Sequence, residues 1–158
     1  MNKLAMTEEE TMLADMARGF LGGAAPVSAF RKMRDAGHTH DAALWKEMAE
    51  MGWAGVLVPE EAGGSDMGYA AANVIAREMG KTLAVSPFLS TAVMAATALR
   101  QVSDDRAKAA LAKIASGEVT YALAVDEGIK HDPDATAMEA RADGNGFRLT
   151  GKKTFVVD

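Results

Sequence analysis

Apolar positions recur at helical spacing over most of this chain and alternate at strand spacing only towards its end. Thr7-Glu8-Glu9-Glu10 reads as a capping box opening a first helix, with carboxylates set against the positive end of its dipole. Met12, Leu13, Met16, Ala17, Phe20 and Leu21 mark its inner face, and Gly22-Gly23 with Pro26 is expected to end it. A short helix is expected from Val27 to Asp35, closed by Gly37, with His38 to Asp41 forming a loop and the next cap. Leu44, Trp45, Met48 and Met51 give a third helix, and Gly52 sits where a left-handed residue would stop it. Trp53 to Val58 is a short apolar plug ended by Pro59. Glu60, Glu61 and Gly63-Gly64 then make a polar turn, with Ser65 or Asp66 as the cap of the next helix. Tyr69, Ala72, Ile75, Ala76 and Met79 mark that helix, which should end at Gly80. Ser86-Pro87 starts another, and its body, Phe88 to Leu99, is apolar or small almost throughout, so burial on all sides is expected. Ser103 is placed as the cap of a last helix, with Ala107, Ala110, Leu111 and Ile114 inside and Gly117 at its end.

From Val119 the texture changes. Val119 to Val125, Ala137 to Ala142, Phe147 to Thr150 and Thr154 to Val157 are strand-prone, and Asp143-Gly144-Asn145-Gly146 is a strong hairpin turn. The chain is therefore divided into a helical domain, residues 1–118, and the start of a β-domain, residues 119–158. A β unit of so few strands has open edges, so the chain is expected to be a piece of something longer.

With 158 residues, 49 % of them hydrophobic and 25 % charged, the chain can bury a sizeable core and does not read as disordered. The net charge of −5, with Arg31, Lys32 and Arg34 as the densest basic cluster, argues against nucleic acid as a partner. Cysteine is absent, so disulfides and thiolate chemistry are excluded. No apolar run reaches the length of a membrane span, and Met1 to Glu10 lacks the apolar core of a signal peptide, so the cytoplasm is the expected compartment. Eleven methionines against five phenylalanines fit either core filling or a surface for flexible apolar ligands. His38 and His40 have no third local ligand beyond Asp41, so no metal is expected there. On its own residues the chain offers no catalytic constellation. Gly144-x-Gly146 sits in a hairpin without the later glycine of a nucleotide loop, and the carboxylates of Glu8 to Glu10 and Glu60-Glu61 look like solvated caps and turns.

The order Trp45, Gly52-Trp53, Gly55, Pro59-Glu60 and Gly63-Gly64 resembles the N-terminal helical domain of the acyl-CoA dehydrogenase family. The resemblance extends over essentially the whole chain. It implies a mainly α fold, an N-terminal helical bundle followed by the first strands of a β-barrel domain. In that family FAD is held by a segment like L-T-E-P-x-x-G-S-D and another like G-x-K-x-[WF]-[IV]-[TS]-N. Val125-Asp126-Glu127-Gly128 lies where the first begins, and Gly151, Lys153, Phe155 and Val156 match the second. There are departures: Asp126 stands for the Thr, Gly128 for the Pro, and Ile129-Lys130-His131-Asp132 replaces the Gly-Ser-Asp portion. Val157 stands where a hydroxyl would reach the flavin ring, and valine has none to donate.

The resemblance thus implies FAD as cofactor, with Leu123, Ala124, Val125, Asp126, Phe155, Val156 and Val157 as the cofactor-binding residues. It implies α,β-dehydrogenation of an acyl-CoA thioester, with electrons passed to an acceptor protein or oxygen. The family's catalytic base lies in a C-terminal bundle, so no residue here takes that role. An acyl-CoA oxidase or flavin monooxygenase of the same fold, and a non-catalytic subunit paired with an active one, are the alternatives. A homo- or hetero-oligomer of the same fold is implied. The helices from Asp66 to Gly80 and from Pro87 to Leu99 would form one wall of the acyl pocket, with Ala92, Ala95 and Ala96 leaving room for a medium, long or bulky acyl group.

Overall fold

In the computed structural model, which describes residues 6–157, α1 (Glu8–Ala24) opens on the expected capping box. Glu10 N donates to Thr7 Oγ1 at 3.1 Å, and Thr7 N to Glu10 Oε2 at 2.8 Å. The helix runs on through Gly22-Gly23, which leave its hydrogen-bond ladder intact, and stops at Pro26. Its buried line is Leu13, Ala14, Ala17 and Leu21, packed along α4. Met12 and Met16, expected inside, are exposed, because Ala14 and Ala17 take the face of close helix approach.

The second helix, α2 (Val27–Asp35), and the left-handed Gly37 follow the sequence reading, but α2 buries no residue. Asp41 caps α3 (Ala42–Glu50), its Oδ1 accepting from Ala43 N at 2.9 Å and Leu44 N at 3.2 Å. Leu44, Trp45, Met48 and Ala49 enter the core, and Gly52 ends the helix at φ 80°.

Trp53 to Val58 is buried as expected, folded as consecutive turns rather than a strand. The returning chain satisfies its carbonyls: Ser65 N reaches Gly55 O, Met67 N reaches Val56 O and Asp66 N reaches Val58 O, at 2.9–3.1 Å. Gly64 makes this doubling-back possible, since a Cβ there would lie 2.0 Å from Val58 O. Phe20 meets the Trp53 ring edge-on at 5.3 Å and ties α1 to the plug.

Neither Ser65 nor Asp66 caps α4 (Gly68–Thr82). Ser65 turns back to Gly55 O, and Asp66, at φ 42°, pairs with Arg100 Nη1 at 2.9 Å. The same Arg100 nitrogen donates to Leu57 O at 2.8 Å, pinning the plug from the far side. Helix α4 continues past Gly80, burying Ala71, Ala72, Val74, Ile75, Glu78 and Met79, while Tyr69 and Ala76 face solvent.

The next segment is a π-helix, Phe88–Ala95, running into α5 (Ala96–Leu99). One side is buried through Phe88, Ser90, Thr91, Ala92, Ala95 and Ala96. The other is open at Leu89 and only partly covered at Val93, Met94, Thr97 and Ala98, so the expected burial on all sides is corrected. Asp104, not Ser103, caps α6 (Asp105–Ala115), accepting from Arg106 N at 2.6 Å. Hydrogen bonding from Arg106 holds the Asp104 carboxyl down to about 2. Ala107, Leu111 and Ile114 are buried and Ala110 is half-buried. Helices α5 and α6 pack together.

Two strands follow, β1 (Glu139–Asp143) and β2 (Gly146–Thr150), antiparallel with Asp143 opposite Gly146 and Glu139 opposite Thr150. This is the expected hairpin, so the chain is mainly helical with a short sheet. Val119 to Val125 and Thr154 to Val157 form no strands. Their backbone groups bond elsewhere: Tyr121 to the Thr91 side chain, Thr154 to Asp126 O.

Candidate functional site

The residues expected at a cofactor, Leu123 to Asp126 and Phe155 to Val157, lie on two irregular segments that the fold brings together. Lys153 Nζ donates to Val125 O at 2.9 Å and to Glu127 Oε1 at 2.8 Å. Thr154 N donates to Asp126 O at 2.7 Å, and Thr154 Oγ1 to Gly128 O at 3.1 Å. Glu127 also accepts from Ala137 N at 2.7 Å and Met138 N at 3.0 Å. Bonding from Lys153 first, and from these two amides, holds its carboxyl below the usual range.

Upstream, the first segment is anchored to the helical core. Thr91, fully buried in the π-helix, donates through Oγ1 to Tyr121 O and accepts from Tyr121 N, both at 2.9 Å. A single hydroxyl thereby replaces a strand neighbour. The sequence reading missed Thr91, because a threonine inside an apolar helix carries no periodic signal.

Leu123 reaches further. With Val93, Met94, Thr97, Ala98 and Gln101 it lines an apolar groove of about 450 Å³ on the open side of the π-helix. Ala92, Ala95 and Ala96, expected to leave room in a pocket, are buried in the helical core instead. A second cleft, about 350 Å³, lies between Thr39, His40, Pro87, Ser90 and Thr120 to Ala122. Among the described residues no group of three His, Cys, Asp or Glu side chains could hold a metal ion.

Whether a flavin suits these segments depends on their donors. The N–H groups of Leu123 to Asp126 and of Phe155 to Val157 alike donate to no acceptor among the described residues, so both segments offer main-chain donors to a ring bearing carbonyl oxygens and ring nitrogens. Side chains contribute less. Val157 has no donor, and Asp126 Oδ1 is taken by His131 Nδ1 at 2.9 Å. Phe155 is held at φ 52° with its ring exposed, an uncommon backbone state for an aromatic residue. What these segments offer such a group is main chain rather than side chain.

The family model for the acyl-CoA dehydrogenase N-terminal domain matches residues 7–118. Acyl-CoA dehydrogenase FadE12 of Mycobacterium tuberculosis is 31 % identical over 131 residues, covering 75 % of this chain and 31 % of its own. The mitochondrial short-chain specific acyl-CoA dehydrogenase of Bos taurus is 28 % identical over 128 residues, covering 78 % of this chain and 31 % of its own. This chain thus spans about a third of the curated relatives it matches. Among solved structures, a variant of the Tcur3481–Tcur3483 steroid ACAD superposes with TM-score 0.81 at 32 % identity, covering 94 % of this chain and 41 % of that one. The ChsE4–ChsE5 complex of Mycobacterium tuberculosis superposes with TM-score 0.82 at 24 % identity, covering 98 % and 42 %, a likeness of fold alone. Helical core, plug, hairpin and family match agree, and the chain belongs to the acyl-CoA dehydrogenase family.

Proposed function

We propose that this chain is the N-terminal helical domain, residues 1–118, and the opening of the β-domain, residues 119–158, of an FAD-dependent acyl-CoA dehydrogenase, with the cytoplasm as its compartment. The observation that carries the reading is the pairing of the Leu123–Asp126 and Phe155–Val157 segments through Lys153 and Thr154, beside an apolar groove that Leu123 itself enters. Amides of Val125 and Asp126 would hold the flavin. Bound there, FAD supplies the hydride acceptor for an acyl thioester that loses its α-proton to a base outside this chain. Val93, Met94, Thr97 and Ala98 would shield one side of the acyl chain from water, and the open side of the groove would leave room for a medium, long or bulky acyl group. Electrons would leave to an acceptor protein or oxygen.

The experiment is anaerobic titration of the native protein, isolated from its own cells, with acyl-CoA thioesters of increasing length. Loss of the oxidised flavin bands with chains longer than four carbons supports the reading. Flavin that no acyl-CoA bleaches contradicts it.

One feature favours a second reading, a non-catalytic subunit beside an active partner of the same fold. Asp126 and Val157 replace two of the hydroxyl-bearing positions of the family's flavin motifs, so side-chain contacts to the ring would be fewer here. Isolation of the native protein with a second, flavin-bearing chain, and none of the flavin on this one, would support it.

A further inference from the structure

The hairpin and the two segments beside it have almost no apolar packing of their own. Every residue of β1 and β2 is exposed, and Phe155, Val156 and Val157 are exposed as well. Polar bonds therefore set the arrangement of this region, and one pair gathers most of them. Lys153 and Glu127 side chains are only 16 % and 17 % exposed. Lys153 joins the run after β2 to Val125 O and to Glu127, and Glu127 in turn holds Ala137 N and Met138 N. Gly151 closes the ring, packed so tightly on Met138 that a Cβ there would lie 3.0 Å from its Cα. Three segments distant in sequence, 125–128, 137–138 and 151–154, meet on one ion pair.

We propose that the Lys153–Glu127 pair is a positioning element of the flavin site, fixing the segments Leu123–Asp126 and Phe155–Val157 in register before the cofactor arrives. This rests on the functional reading above. The pair acts on the main chain of the segments: Lys153 takes the carbonyl of Val125, while the Val125 and Asp126 amides donate to no acceptor among the described residues. A site whose donors are already aligned binds with less ordering cost, and the benefit appears chiefly in the dissociation rate.

The test uses the native flavoprotein and its Lys153→Met, Lys153→Arg and Glu127→Gln variants. FAD release is followed by the rise in free-flavin fluorescence, and amide hydrogen exchange is read at Ala137, Met138 and Thr154. The expected result is FAD release faster by about tenfold or more in Lys153→Met and Glu127→Gln. Exchange at the three amides should accelerate while the α1–α4 core keeps its protection, and Lys153→Arg should recover part of both. A purely structural role would loosen the core or the melting temperature without a selective change in flavin release. Unchanged FAD release in Lys153→Met, or unchanged exchange at Ala137 and Met138, overturns the proposal while leaving the flavin reading standing. A native protein that carries no flavin on this chain overturns the functional reading, and this role with it.

Discussion

Glu78 carries a full charge with no solvent exposure of its side chain. It stays ionised because Lys81 bonds both its oxygens, at 2.7 and 2.8 Å, which outweighs the cost of burial, and Arg18 and Arg77 add to the effect. Its carboxyl is therefore held below the ordinary 4.5. In the interval between that depressed value and 4.5 the unfolded chain binds more protons, so stability falls as pH drops through it and is fully present above it. Glu78→Gln should lose about 1–2 kcal/mol at neutral pH, the half-exposed cations being free to turn to water. It should also flatten the acid limb of a urea-denaturation series. Glycine gives a contrasting pair. Gly64→Ala drives a Cβ into Val58 O and should cost about 3 kcal/mol or more. Gly19→Ala, inside α1 with nothing within 4 Å, should stabilise by about 0.5–1 kcal/mol, read on the same denaturation curves.

Among elements, those with a strong period or a cap of their own were legible from the sequence: α1 through its capping box, α2, α3 with Asp41 and Gly52, and the hairpin at Asp143 to Gly146. Faces were harder. Periodicity marks a stripe, but choosing between Met16 and Ala14 for the inside needs the distance to α4, which no single helix encodes. Ends shifted where glycine failed to break a helix, as at Gly22-Gly23 and Gly80. Val119 to Val125 and Thr154 to Val157 form no strands because β propensity describes a residue's fit to a sheet, and among the described residues no strand pairs with them. The two segments expected at the cofactor by resemblance lie side by side. The link between them, Lys153 to Val125, and the anchor of the first to the helical core, Thr91 to Tyr121, were not legible, since each joins residues about thirty apart. Thr91→Val keeps the shape of the π-helix and removes both bonds to Tyr121. It should cost about 1–2 kcal/mol and raise amide exchange at Tyr121 and beyond, with α1 and α3 unchanged.

At the scale of the whole molecule, the groove of Val93, Met94 and Leu123 and the segments at Val125 and Phe155 are open on their outer sides. A ring and an acyl chain held there need further walls, which in the proposed enzyme come from outside these 158 residues. The chain expressed by itself should accordingly be colourless and inactive with added FAD, and its unpaired strand edges should drive self-association in sedimentation. The native protein should assemble as a dimer or tetramer, with copies of itself or with a partner of the same fold. The central claim is that this chain's own segments hold flavin, and it is tested most directly by the FAD content of the native protein per copy of this chain. One FAD per copy, released as FAD on denaturation, is the predicted result. A native protein without flavin, or with all of its flavin on a different polypeptide, would contradict it.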